Sequence, residues 1–212
     1  MSQLIAAACS DLSAWLRPEH CEAMAAHWSA LVHWDRTHNL TAITDEATAA
    51  WQHYRDSLAA LAFLERGPIL DMGSGGGFPG LPLAIVRSDW DFVLMEPRRK
   101  RQSFLTTIVA RLGLSNVRIL ACRMEDPPSQ TFAHVVTRAT FSSDAALNTA
   151  RRWLQPGGSL LAYRRAAQPW VPGCTRIPYR LQGEDRALDI LPQVGSAEAA
   201  DDDTGGKPHC ST

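Results

Sequence analysis

Short apolar runs alternate with stretches of helical period along most of this chain. From Pro18 to about Thr37 the apolar residues Met24, Trp28, Leu31 and Val32 follow helical spacing, with polar Asp35 in the same series. Proline suits a first helical position, where its missing N–H would find no partner anyway. Thr44 or Asp45 offers an N-cap for a second helix through Ala60 and beyond. Pro68-Ile69-Leu70-Asp71 then reads as a strand that ends in an acid. Glycines follow as far as Gly80, and the apolar run Leu81 to Val86 opens a helix. Phe92 to Met95 is a second strand that ends in an acid, Glu96. Phe104, Leu105, Ile108, Val109 and Leu112 give the next helix its apolar face, and Gly113 is a natural C-cap. Asn116 to Ala121, Phe132 to Arg138 and Ser159 to Arg164 read as three more strands. A helix from about Ser142 to Trp153 precedes the last of them. Beyond Ala166 the pattern fades, with one short strand within Leu181 to Leu191.

Strands alternating with helices predict an α/β fold: a Rossmann-like, doubly wound, mostly parallel sheet with an N-terminal helical extension. The boundaries read as a helical region over 1–64 packed on the core, a ligand-binding domain over 65–192, and an acidic, Gly-rich tail over 193–212. The composition of that tail predicts disorder.

Composition narrows the class. A chain of 212 residues can bury a full core. No apolar run is long enough to span a bilayer, and Met1 to Ser10 lacks the basic start of a signal peptide. The cysteines, Cys9, Cys21, Cys122, Cys174 and Cys210, are scattered and odd in number, which fits a reducing cytoplasm and neither a disulfide frame nor a zinc site. His27, His33 and His38 do not share a helix face and read as surface or packing residues, so no metal is expected. The net charge of −1 neither requires nor forbids a nucleic-acid partner. Lys100 and Lys207 are the only lysines; the other basic side chains are arginines.

The chemistry centres on Asp71 to Gly80. Gly75-x-Gly77-x-x-Gly80 satisfies the dinucleotide fingerprint. Asp71-x-Gly73-x-Gly75-x-Gly77 satisfies the acid-x-Gly-x-Gly-x-Gly loop of S-adenosylmethionine (AdoMet) methyltransferases. The second reading is preferred, because an acid at position 71 would repel a pyrophosphate, whereas AdoMet offers an ammonium, a sulfonium and a ribose diol. Asp71, Glu96, Glu125 and Arg138 all fall at the carboxyl ends of predicted strands, where doubly wound sheets bind ligands. His53, Asp56 and Ser57 resemble a hydrolase triad in composition only, since one helix cannot aim all three at an oxyanion hole. Pro97-Arg98-Arg99-Lys100-Arg101 reads either as a contact for RNA phosphate or as a solvated first helical turn.

Several blocks together resemble one family, the bacterial small-subunit ribosomal RNA methyltransferase G family, also called glucose-inhibited division protein B. They are Asn39-Leu40-Thr41-Ala42-Ile43, His53 with Asp56-Ser57-Leu58, the Asp71 loop with Phe78-Pro79-Gly80-Leu81-Pro82, Lys100-Arg101 with Phe104-Leu105, Arg123 with Glu125, and Thr137-Arg138-Ala139. The resemblance spans roughly Leu31 to Arg164. It implies a class I AdoMet-dependent methyltransferase fold and methylation of a guanine at N7 in 16S rRNA, free or in the small ribosomal subunit. By the same resemblance Gly73 and Phe78 line the AdoMet site, Met124 and Glu125 hold the adenine end, and Arg138 completes the pocket and is the one candidate catalytic group. Asp71 and Glu96 join this set from their charge and strand-end position. A cytoplasmic monomer is expected, with no membrane and no metal. Two departures stand out: Arg164-Arg165 replaces a usual lysine-glycine, and Arg176 to Leu191 only faintly resembles the usual basic end. The competing readings are a nucleotide-dependent oxidoreductase, a small-molecule methyltransferase and a non-catalytic RNA-binding protein that retains the fold.

Overall fold

The computed structural model describes residues 1–138 and 144–192. Ala139, the start of the helix expected from Ser142 and the tail over 193–212 lie outside the described residues. The strands are β1 (Ile69–Met72), β2 (Phe92–Met95), β3 (Val117–Leu120), β4 (Phe132–Arg138), β5 (Leu154–Arg165), β6 (Thr175–Leu181) and β7 (Glu184–Pro192). They form one sheet in the order β3-β2-β1-β4-β5-β7-β6. The first five run parallel, and β7 pairs antiparallel with both β5 and β6. Strand order reverses between β1 and β4, which is where such a sheet opens a crevice.

The helices are α1 (Ser2–Ala8), α2 (Pro18–His38), α3 (Glu46–Ala49), α4 (Gly80–Val86), α5 (Arg99–Leu112) and α6 (Asp144–Arg151). Every residue of β1 and β2 is buried, as expected for strands covered on both faces. Ile69, Phe92 and Leu94 face the helices α2, α4 and α5 and the N-terminal layer. Leu70, Met72, Val93 and Met95 face the other way, onto Leu147, Ala150 and Trp153.

Three local outcomes differ from the sequence reading. The expected helix over residues 45–60 starts as predicted, with Asp45 accepting from Thr48 N, but it is not one α-helix. It widens to a π-helical turn over Ala50–Arg55 and tightens to 3-10 over Leu58–Phe63. Strand five begins at Leu154, because Pro156-Gly157-Gly158 is absorbed as an irregularity in its pairing with β4. The weak pattern beyond Ala166 is a full hairpin, turned at Gln182 and Gly183, both with positive φ (49° and 84°).

Candidate active site

The loop from β1 to α4 is held by its own backbone. Gly73 N and Ser74 N both donate to Met95 O at 3.0 Å, and Gly77 N donates to Ser74 O at 2.7 Å. Gly73, Gly75 and Gly77 have φ of 81°, 57° and 95°. These are the three glycines of the acid-x-Gly-x-Gly-x-Gly pattern, and each occupies a conformation that other residues rarely adopt.

Two acids tie this loop down. Glu96 is buried at the end of β2; its Oε2 accepts from Gly75 N at 3.0 Å and its Oε1 from Arg98 N at 2.9 Å. Asp71 departs from its expected place. Its carboxyl has no exposed surface and turns under α4, where Oδ2 accepts from Gly80 N at 2.9 Å. A Cβ on Gly80 would stand 2.6 Å from that same oxygen, so glycine there lets the helix close over the acid. Burial pushes the Asp71 carboxyl up to about 7, against the pull of the Gly80 N–H.

A cleft of about 600 Å³ opens beside this loop at the carboxyl ends of β1, β2 and β3. Gly73, Glu96, Met124 and Glu125 line it, together with Met72, Met95 and Arg101. A turn closed by Arg123 N donating to Asp126 Oδ2 at 2.8 Å presents Met124 and Glu125. Trp153 Nε1, from the segment after α6, anchors that turn by donating to Met124 O at 3.0 Å. The expected basic cluster divides here. Arg98, Arg99 and Lys100 have exposed side chains, while Arg101 is half-buried and stands 3.7 Å from Glu96.

Phe78 and Arg138 are not among the residues lining this cleft. They form an adjoining cluster with the N-terminal layer. Phe78 stacks on His53, with ring centroids 4.2 Å apart and 8° between planes. The Arg138 guanidinium lies 5.1 Å from the Phe78 ring. It donates to Gln52 O at 2.9 Å, His53 Nδ1 at 3.3 Å and Asp56 Oδ2 at 3.4 Å. Burial and the Arg138 charge hold His53 down to about 3, so it is neutral and its Nε2–H donates to Thr41 Oγ1 at 2.8 Å. Tyr179 OH, from β6, donates to Asp56 Oδ1 at 2.7 Å. Ser57 Oγ donates to His53 O, so His53, Asp56 and Ser57 do not form a triad.

His27 is buried and does more than fill space. Burial lowers it to about 4. The neutral ring donates from Nε2 to Gly76 O at 2.9 Å and accepts at Nδ1 from Tyr54 OH at 3.1 Å. It therefore couples α2 to the glycine loop. Nothing in its local spacing signals this, because its partners lie 49 and 27 residues away.

The profile of the family described as "rRNA small subunit methyltransferase G" matches residues 20–170. The chain belongs to that family. The Ribosomal RNA small subunit methyltransferase G of Alkalilimnicola ehrlichii is 35% identical over 192 residues, which cover 84% of this chain and 87% of that protein. The protein of the same name from Pseudomonas fluorescens is 33% identical over 172 residues, covering 72% and 80%. Among solved structures, a SAM dependent methyltransferase from Aquifex aeolicus matches with a TM-score of 0.54 at 15% identity, over 69% of this chain and 94% of that one. A mutant of MtNAS in complex with S-adenosylmethionine matches with a TM-score of 0.56 at 12% identity, over 80% and 71%. These likenesses show the class I methyltransferase fold. Among the described residues, no helix is long and apolar enough to cross a membrane.

Proposed function

We propose that this chain transfers a methyl group from AdoMet to N7 of a guanine in 16S rRNA, free or within the small ribosomal subunit. The observation that carries the reading is the cleft at the ends of β1, β2 and β3, walled by a loop whose three motif glycines all have positive φ. Its lining fits AdoMet in kind. Glu96 and Glu125 offer acceptors for hydroxyl and amine groups, and Met72, Met95 and Met124 offer apolar contact for a purine. Bound AdoMet supplies an activated methyl on a sulfonium, open to in-line displacement.

Guanine N7 carries a lone pair that needs no deprotonation, so the chain has to position the base and tolerate a cationic product. In this reading Gly73, Glu96, Met124 and Glu125 hold the cofactor. Asp71 shapes the loop from beneath. Phe78 and Arg138 brace the side of the crevice next to β4, with Arg138 acting as a positioning residue; an Arg138→Ala chain with full activity would remove that role. His53 has its Nδ1 lone pair taken by Arg138 and its Nε2–H by Thr41, in keeping with a reaction that uses no general base. A cytoplasmic location belongs to this reading, as expected for a chain that acts on ribosomal RNA, and the four described cysteines are free thiols. Labelled AdoMet and small subunits from cells lacking their own N7 activity test the proposal. It expects one new N7-methylguanine in 16S rRNA, and no transfer with AdoMet still bound would refute the substrate.

A further inference from the structure

The loop between β5 and β6 carries Trp170, 63% exposed, the most exposed large hydrophobic side chain among the described residues. The loop is tightly held. Val171 beside it is buried against the α6-side core. Arg176 donates to the carbonyls of Ala166 at 3.3 Å, Gln168 at 2.9 Å and Pro169 at 3.2 Å. The same guanidinium makes bonds of 2.6 and 2.8 Å to Asp189, which has no exposed surface. It also lies 5.2 Å from the centroid of the Trp170 ring. An aromatic ring is thus held in solvent on an ordered loop, with a cation behind one face.

Two further observations say what would cover it. Between Asp144 and Glu184 the chain has no acidic residue, and its basic residues there are Arg151, Arg152, Arg164, Arg165, Arg176 and Arg180. Arg164 and Arg176 pair with Asp189 and Arg180 with Asp185, so the local positive excess is that of Arg151, Arg152 and Arg165, which make no ion pair among the described residues. The loop also leaves the sheet at the functional rim, because Tyr163 pairs with Arg138 and the loop starts just beyond it. No other large hydrophobic side chain in that arginine-rich segment is exposed, so Trp170 is not the centre of an apolar protein-docking patch.

We propose that the Trp170 loop is an rRNA contact, in which an unpaired base stacks on the Trp170 ring while exposed Arg165 meets phosphate. An aromatic face with arginines around it is the combination that holds unpaired nucleotides. The departure to Arg164-Arg165 then has a use. Arg164 turns inward to Pro169 O at 3.3 Å and helps fix the loop, leaving Arg165 exposed. This inference rests on the rRNA substrate proposed above.

The test compares the full chain with Trp170→Ala and Trp170→Phe, by retention of unmethylated small subunits and by AdoMet titration. Trp170→Ala should bind subunits about tenfold more weakly and raise their KM, with kcat and AdoMet affinity unchanged. Trp170→Phe should recover most of the loss, because the ring and not the indole N–H makes the contact. Unchanged subunit affinity in Trp170→Ala overturns the proposal, as does equal weakness of the Phe variant. Ultraviolet crosslinking should join residue 170 to rRNA, and a crosslink to a ribosomal protein would also overturn it. Wild-type chain that binds subunits but transfers no methyl would refute the reaction alone, and the binding comparison would still decide the stacking contact.

Discussion

The two sides of the functional rim handle buried acids differently. At β1 and β2, Asp71 and Glu96 take backbone N–H groups: Gly80 N on one, Gly75 N and Arg98 N on the other. At β4 to β7, Asp56 and Asp189 take side chains, Arg138 and Tyr179 on the first and Arg176 on the second. Asp71 has the Gly80 N–H on its carboxylate and no ion pair among the described residues, and it shows the electrostatic cost as a pKa of about 7, whereas Glu96 also has Arg101 at 3.7 Å. A guanidinium neutralises the acid and ties together elements far apart in the chain. The first arrangement shapes a wall for a small ligand, and the second makes a frame.

The largest effect should come from breaking the frame. Asp189→Asn leaves the Arg176 charge without its carboxylate and should cost about 3–5 kcal/mol, read by denaturant unfolding. Next is the loop acid. An unfolded Asp71 ionises near its ordinary value of 3.8 and the folded one near 7, so the unfolded chain loses its proton first. Stability from this group is full below about pH 4 and falls until about pH 7, by roughly 4 kcal/mol at most. His27 and His53, held down to about 4 and 3, act in the opposite direction: their contribution is full above 6.5 and fades as pH drops through those values. Asp71→Asn should remove only the loss between pH 4 and 7, which unfolding curves at several pH values would resolve. The smallest effect should come from Tyr179→Phe, which removes one hydroxyl from Asp56. It should cost about 1–2 kcal/mol in unfolding and leave AdoMet affinity unchanged.

The same contrast explains what could be read from sequence. The glycine loop is legible because its parts are neighbours, and the residues from Asp71 to Gly80 spell out the turn. The frame is not legible, because Arg138 meets Asp56 across 82 residues and Tyr179 meets it across 123. β6 lies where the apolar pattern fades beyond Ala166, and as an edge strand it accommodates Pro178. The direction of Asp71 had a signal that strand-end position alone overrides. Period two puts it on the face of Ile69, beneath α4, so a helix covers it. Trp170 carried no local sign of exposure, since its surroundings are set by the distant Asp189.

The division of the rim can be tested by one measurement, the AdoMet dissociation constant of wild-type, Glu96→Ala and Tyr179→Phe chains. Glu96→Ala removes both a cleft-lining acceptor and the hold on Gly75 N. The account predicts AdoMet binding at least about tenfold weaker for Glu96→Ala, from the loss of one charge-assisted contact, and wild-type binding for Tyr179→Phe. Unchanged affinity in Glu96→Ala would contradict it.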